Sequence, residues 1–87
     1  MPSAGERWEF QTEQGKVAIR AVEVNPTRDF RGRKAYLIAY RIEDETVDPP
    51  FISPVAHLFI LQGSDPRKEF EKVINNYLAM RNSILRR

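Results

Sequence analysis

The sequence predicts an α+β domain: a four-stranded antiparallel sheet in the order β-β-β-β-α, with one C-terminal amphipathic helix packed on one face. Three observations predict it. RWEFQTE (7–13) alternates apolar and polar residues with the period of a half-buried strand. KAYLIAYRI (34–42) and AHLFILQ (56–62) are aliphatic and aromatic runs bounded by charged, proline or glycine residues. From Asp65 onward, apolar residues return at helical spacing.

The elements follow in order. Residues 1–6 are small and polar and are expected to be disordered, leaving 7–87 as a single domain. In the first strand Trp8, Phe10 and Thr12 face one way and Arg7, Glu9, Gln11 and Glu13 the other. Gln14-Gly15 supplies a turn, and KVAIRAVEV (16–24) returns as the second strand of a hairpin. Its apolar parity changes between Ala21 and Val22, which predicts a bulge near Ala21. Asn25-Pro26 is expected to stop this strand, because proline lacks the amide donor of a ladder.

In the third strand Tyr36, Ile38, Tyr40 and Ile42 share a face, with Ala35, Leu37, Ala39 and Arg41 opposite. EDETVDPPFISP (43–54), with three prolines and four carboxylates, reads as a stiff, solvated loop. The helix begins with Asp65 as N-cap and Pro66 at its first position, where a missing amide costs nothing. Phe70, Val73, Ile74, Tyr77, Leu78, Ile84 and Leu85 form its apolar stripe. One helix covers one sheet face, yet the third and fourth strands are apolar on both. The second face therefore predicts a wrap toward a partial barrel, cover by a second copy, or a ligand surface.

With 87 residues there is room for one core, and with no cysteine there are no disulfides or thiolate metal sites. No run approaches a membrane span, and MPSAGERWEF lacks the pattern of a secretory leader, so a cytoplasmic location is expected by default. The net charge of +2 names no partner, but its distribution is uneven. Residues 28–34 (RDFRGRK) hold four cations and one anion, and residues 43–48 hold four anions.

The basic segment carries the leading functional expectation. Arg28, Arg31, Arg33 and Lys34 would contact phosphates, while Phe30, Tyr36 and Tyr40 would stack on bases of a single-stranded nucleic acid. The competing reading is a solvated connection between strands. Gly32-Arg33-Lys34 entering a strand, with strands followed by a C-terminal helix, resembles the Whirly group of single-strand DNA-binding folds. The 43–54 loop and a further strand before the helix depart from that pattern. The resemblance is one of topology and carries no binding residue over.

Other sites are weaker. The carboxylates of 43–48 fit no calcium-loop spacing, and His57 stands alone, so no metal, cofactor or catalytic site is expected. Arg81 falls in the middle of the helical apolar stripe. Either the helix outruns the sheet there, or Arg81, Ile84 and Leu85 form a homodimer contact with Arg81 paired to a partner carboxylate. The rival to nucleic-acid binding is thus a homodimeric protein-interaction module, with the DPPFISP segment available to dock a larger protein.

Overall fold

The computed structural model describes residues 2–85, and of Leu85 the backbone alone. Five strands and one helix follow in order: β1 (Arg7–Thr12), β2 (Gly15–Arg28), β3 (Lys34–Asp44), β4 (Phe51–Ile52), β5 (Ala56–Leu61) and α1 (Pro66–Leu85). Neighbouring strands pair antiparallel, β1 on β2 and β2 on β3, while β4 and β5 share the far edge of β3. The α+β sheet with its C-terminal helix is therefore as expected. The expected fourth strand is β5, and β4 is a further, two-residue strand that precedes it on the same edge.

The break between β4 and β5 sits at Ser53. β4 pairs Glu43 with Ile52, whereas β5 pairs Tyr40 with Ala56, so the register slips between them. Ser53 bridges the slip: its amide donates to Ile42 O at 2.9 Å, and its Oγ accepts from Ile42 N at 2.8 Å. The expected loop 43–54 is corrected accordingly. Glu43 and Asp44 end β3, and Phe51–Ile52 return to it.

β2 also corrects an expectation. It bulges between Ala21 and Glu23 as predicted, but continues through Pro26 to Arg28. β1 covers β2 only as far as Arg20, so the proline lies where one side of β2 has no strand partner. A missing donor is tolerated at such an edge. Within the segment expected to be disordered, Gly5 and Glu6 are hydrogen-bonded to β2: Gly5 N donates to Ala21 O at 2.7 Å, and Ala21 N donates to Glu6 O at 2.9 Å.

α1 starts where the cap predicts, with Arg67 N donating to Asp65 Oδ1 at 3.0 Å. Phe70, Ile74 and Leu78 are buried against Phe10, Val17, Ile19, Ile38, Tyr40, Ile42 and Ile60. Trp8 meets Phe70 edge-on, with ring centroids 5.3 Å apart. Truncating Phe70 to alanine in such a core costs about 3–5 kcal/mol.

The reverse face is organised differently at its two ends. Ala18, Ala35 and Ala39 are buried because a methyl group is shorter than the side chains beside it. Toward the β1 end, Glu43 accepts from Arg7 Nε at 2.7 Å and from Arg20 Nε at 2.8 Å, and Arg7 also bonds Glu9 and Glu45. Toward β5, Leu37 and Phe59 stay exposed. Half of the uncovered face is thus an ion-pair lattice and half is apolar.

Candidate functional site

Three surfaces remain once the core is closed: the basic hairpin tip, a groove at the C-terminal end of α1, and the outer edge of β5.

The hairpin tip, residues 29–33, is folded around Asp29. Its Oδ1 accepts from the amides of Arg31 (2.9 Å) and Arg33 (2.8 Å), and its Oδ2 accepts from Arg33 Nε at 2.6 Å. Desolvation raises the Asp29 pKa, and the Arg33 and Arg31 donors outweigh it, leaving the carboxyl below its ordinary value. Arg28 Nη1 donates to Gly32 O at 2.8 Å, and Gly32 takes φ +80°, a conformation suited to glycine. The tip is an ordered turn.

These contacts sort the seven predicted nucleic-acid residues. Phe30 is 91% exposed, with the Arg31 guanidinium 5.6 Å from its ring centroid. Lys34 is exposed at the start of β3. Arg28 and Arg33 are exposed but already donate within the turn. Tyr36 and Tyr40 face α1 instead: Tyr36 packs half-buried against the core, and Tyr40 lies within it, 6.5 Å from Phe70. Burial raises the Tyr40 pKa, as expected for a phenol removed from water. The cations and Phe30 are brought together, the half-buried Tyr36 lines a cavity with Arg28 and Lys34, and Tyr40 alone is set apart in the core.

The groove was the least legible in the sequence. Its floor is an ion pair: Arg81 Nη1 donates to Asp44 Oδ2 at 2.8 Å, Tyr77 OH donates to the same oxygen at 2.6 Å, and Thr46 N donates to Asp44 Oδ1 at 2.9 Å. Arg81 also reaches Thr46 Oγ1 and Gln14 Oε1. Burial alone would push the Asp44 carboxyl up, yet the Thr46, Tyr77 and Arg81 donors bring it below its ordinary value. Arg81 thus corrects both expectations made for it. It neither runs out into water nor awaits a partner's carboxylate, because its own chain supplies Asp44. The neutralised floor is what makes a guanidinium tolerable there.

Above this floor stand Val47, Phe51, Tyr77, Met80 and Ile84, lining a cavity of about 330 Å³ that is almost wholly apolar. Phe51 stacks parallel to Tyr77 at 6.5 Å, and Met80 and Ile84 are 64% and 60% exposed. Ile84 lies in the groove wall, and the side chain of Leu85, also predicted at a dimer contact, lies outside the described residues. Arg81 at helical spacing from Tyr77, opposite the acidic end of β3, was the only signal the sequence held.

Larger cavities are more polar. One of about 620 Å³ between β1 and α1 is lined by Gln11, Glu13, Gln14, Glu71 and Asn75 among others. Among the described residues, no group of three or more metal-ligating side chains stands together, and no helix is long and apolar enough to cross a membrane. His57 is exposed on the reverse face across from Ala39. No family model, curated protein or solved structure matches this chain.

Proposed function

We propose that this chain is a non-catalytic protein-interaction module whose groove at the C-terminal end of α1 receives apolar side chains of a protein partner. The groove itself carries the reading: Val47, Phe51, Met80 and Ile84 hold their side chains in water around a floor where Asp44 and Arg81 pair, although Arg81 Nε has no acceptor. Covering the exposed half of each such side chain stabilises a complex by about 1 kcal/mol. A closed Asp44–Arg81 pair presents the partner with no unpaired charge to bury.

Selection from a random peptide library displayed on phage tests this. Peptides with apolar anchors should be enriched on the wild type and lost on Met80→Glu and Ile84→Glu. An absence of enrichment, or equal recovery on those variants, rejects the groove.

The hairpin tip favours a second reading, binding of single-stranded nucleic acid, on one observation: a nearly free Phe30 ring beside Arg31, with Lys34 close in sequence. A fluorescent oligothymidine should bind at about 50 mM salt and dissociate as salt rises, because each neutralised phosphate releases counterions. Binding that survives Arg31→Glu and Phe30→Ala would place it elsewhere.

A further inference from the structure

The sheet has unequal edges. β1 carries Arg7 and Glu9, and the part of β2 beyond β1 carries a bulge and Pro26. These are devices that discourage strands from adding. β5 has none of them. From Pro49 to Ser64 the sequence contains no Asp, Glu, Lys or Arg, and within Ala56–Leu61 there is no proline.

Its backbone parity can be read from one bond. Gln62 N donates to Lys34 O at 3.0 Å, continuing the pairing of Leu61 with Ala35 and Ile60 with Tyr36. Hydrogen-bonded pairs alternate in an antiparallel ladder, so Ala56, Leu58 and Ile60 turn their backbone groups toward β3. His57, Phe59 and Leu61 turn theirs outward. Among the described residues, Leu61 O accepts from Ser64 N, while the N–H groups of all three and the carbonyls of His57 and Phe59 have no intramolecular partner.

That arrangement is complementary to itself. We propose that two copies of this chain join by pairing their β5 edges antiparallel about a two-fold axis at Phe59, making one continuous sheet. In this register Phe59 N–H donates to Phe59 C=O of the second copy, and Leu61 N–H to the second copy's His57 C=O. Each bond occurs twice, as an isologous contact requires. The side chains of His57, Phe59 and Leu61 lie on the reverse face, beside Leu37. The two Phe59 rings therefore meet side by side, flanked by both Leu37 side chains, and this covers the apolar half that α1 leaves open. A second copy suits the edge better than a charged partner, since the strand has no formal charge to attract one or to repel its twin. The groove stays free, so this proposal does not depend on that one.

Sedimentation equilibrium and oxidative cross-linking test it together. The wild type should sediment as a dimer at micromolar concentration with a melting midpoint that rises with concentration, and Phe59→Lys as a folded monomer with an unchanged circular dichroism spectrum and a concentration-independent midpoint. Phe59→Cys should oxidise to a covalent dimer, because a hydrogen-bonded antiparallel pair sets its Cα atoms roughly 5.5 Å apart, within the roughly 4.4–6.8 Å of a disulfide. The chain has no other cysteine to confuse the result, and Ile84→Cys should not cross-link. A monomeric wild type overturns the proposal, as does a dimer unaffected by Phe59→Lys. Cross-linking at Ile84→Cys but not at Phe59→Cys would move the second copy to the groove. A monomer whose selected peptides are lost on Phe59→Lys would mean that the edge takes a foreign strand instead.

Discussion

Asp44, fully buried at the end of β3, accepts from Arg81 on α1 at 2.8 Å, and this contact joins the last turns of the helix to the sheet. Leu78 is the last residue of the helix in the buried core cluster, so the join is polar where the rest of the helix–sheet contact is apolar. Removing one partner of such a pair leaves the other charge desolvated. Asp44→Ala should lower unfolding free energy by about 3 kcal/mol. The Asp44→Ala/Arg81→Met double variant should lose less than the sum of the single changes, a shortfall that urea denaturation can measure.

Stability should fall at both ends of the pH scale. The carboxyls of Asp44 and Glu43 lie below their ordinary values of 3.8 and 4.5. For Asp44, burial opposes the shift and the donors from Thr46, Tyr77 and Arg81 prevail, whereas for Glu43 the Arg20 hydrogen bond leads. A depressed carboxyl stabilises the fold above its unfolded value, and that stabilisation is lost as pH drops through the folded value. Tyr77 works at the other end. Burial first, then the Asp44 hydrogen bond, push its phenol from 10.0 up to about 12. Between those values the unfolded chain releases a proton that the folded one keeps, so stability declines as pH rises. Urea midpoints across pH should show both arms, and Tyr77→Phe should flatten the alkaline one.

Ser53→Ala tests the break between β4 and β5. The Ile42 amide would lose the Oγ that accepts its proton, and the buried donor would go unsatisfied. A cost of about 1–2 kcal/mol is expected, with faster deuterium exchange at Ile42 N–H than elsewhere in β3.

Asp29→Ala should loosen the basic tip without unfolding the domain. Three donors converge on that one carboxylate, and the tip packs little else. Trypsin should then cut after Arg31 or Arg33 faster than in the wild type, while the melting midpoint stays nearly unchanged. A midpoint that collapses would mean that the loop helps hold the core.

What the sequence makes legible is periodicity. The alternation of Trp8 and Phe10, and the helical recurrence of Phe70, Ile74 and Leu78, each mark a buried face, and all five pack on the common core. The Asp65-Pro66 start is equally local and equally readable. Other features depend on who the neighbours are. Pro26 ends a strand only if both sides are paired, and beyond Ala21 one side of β2 is not. Glu43 and Asp44 look solvated in a run of carboxylates, until Arg7, Arg20 and Arg81 arrive from other elements. Tyr40 suits a binding platform or a core equally well by composition, and only the position of α1 decides. The groove needs Phe51 brought to Tyr77 from 26 residues away, a distance no local pattern spans.

α1 also sets a length. Its twenty residues, Pro66–Leu85, carry Glu69 in the first turn, where it lines a cavity with Ser64, Arg28 and Phe30, and Met80 and Ile84 in the groove wall near the other end. At about 1.5 Å per residue the helix is a strut of about 30 Å. Anything held at one extremity is therefore kept well clear of anything held at the other, so neither cargo should crowd the other, and occupancy of the two ends should simply multiply.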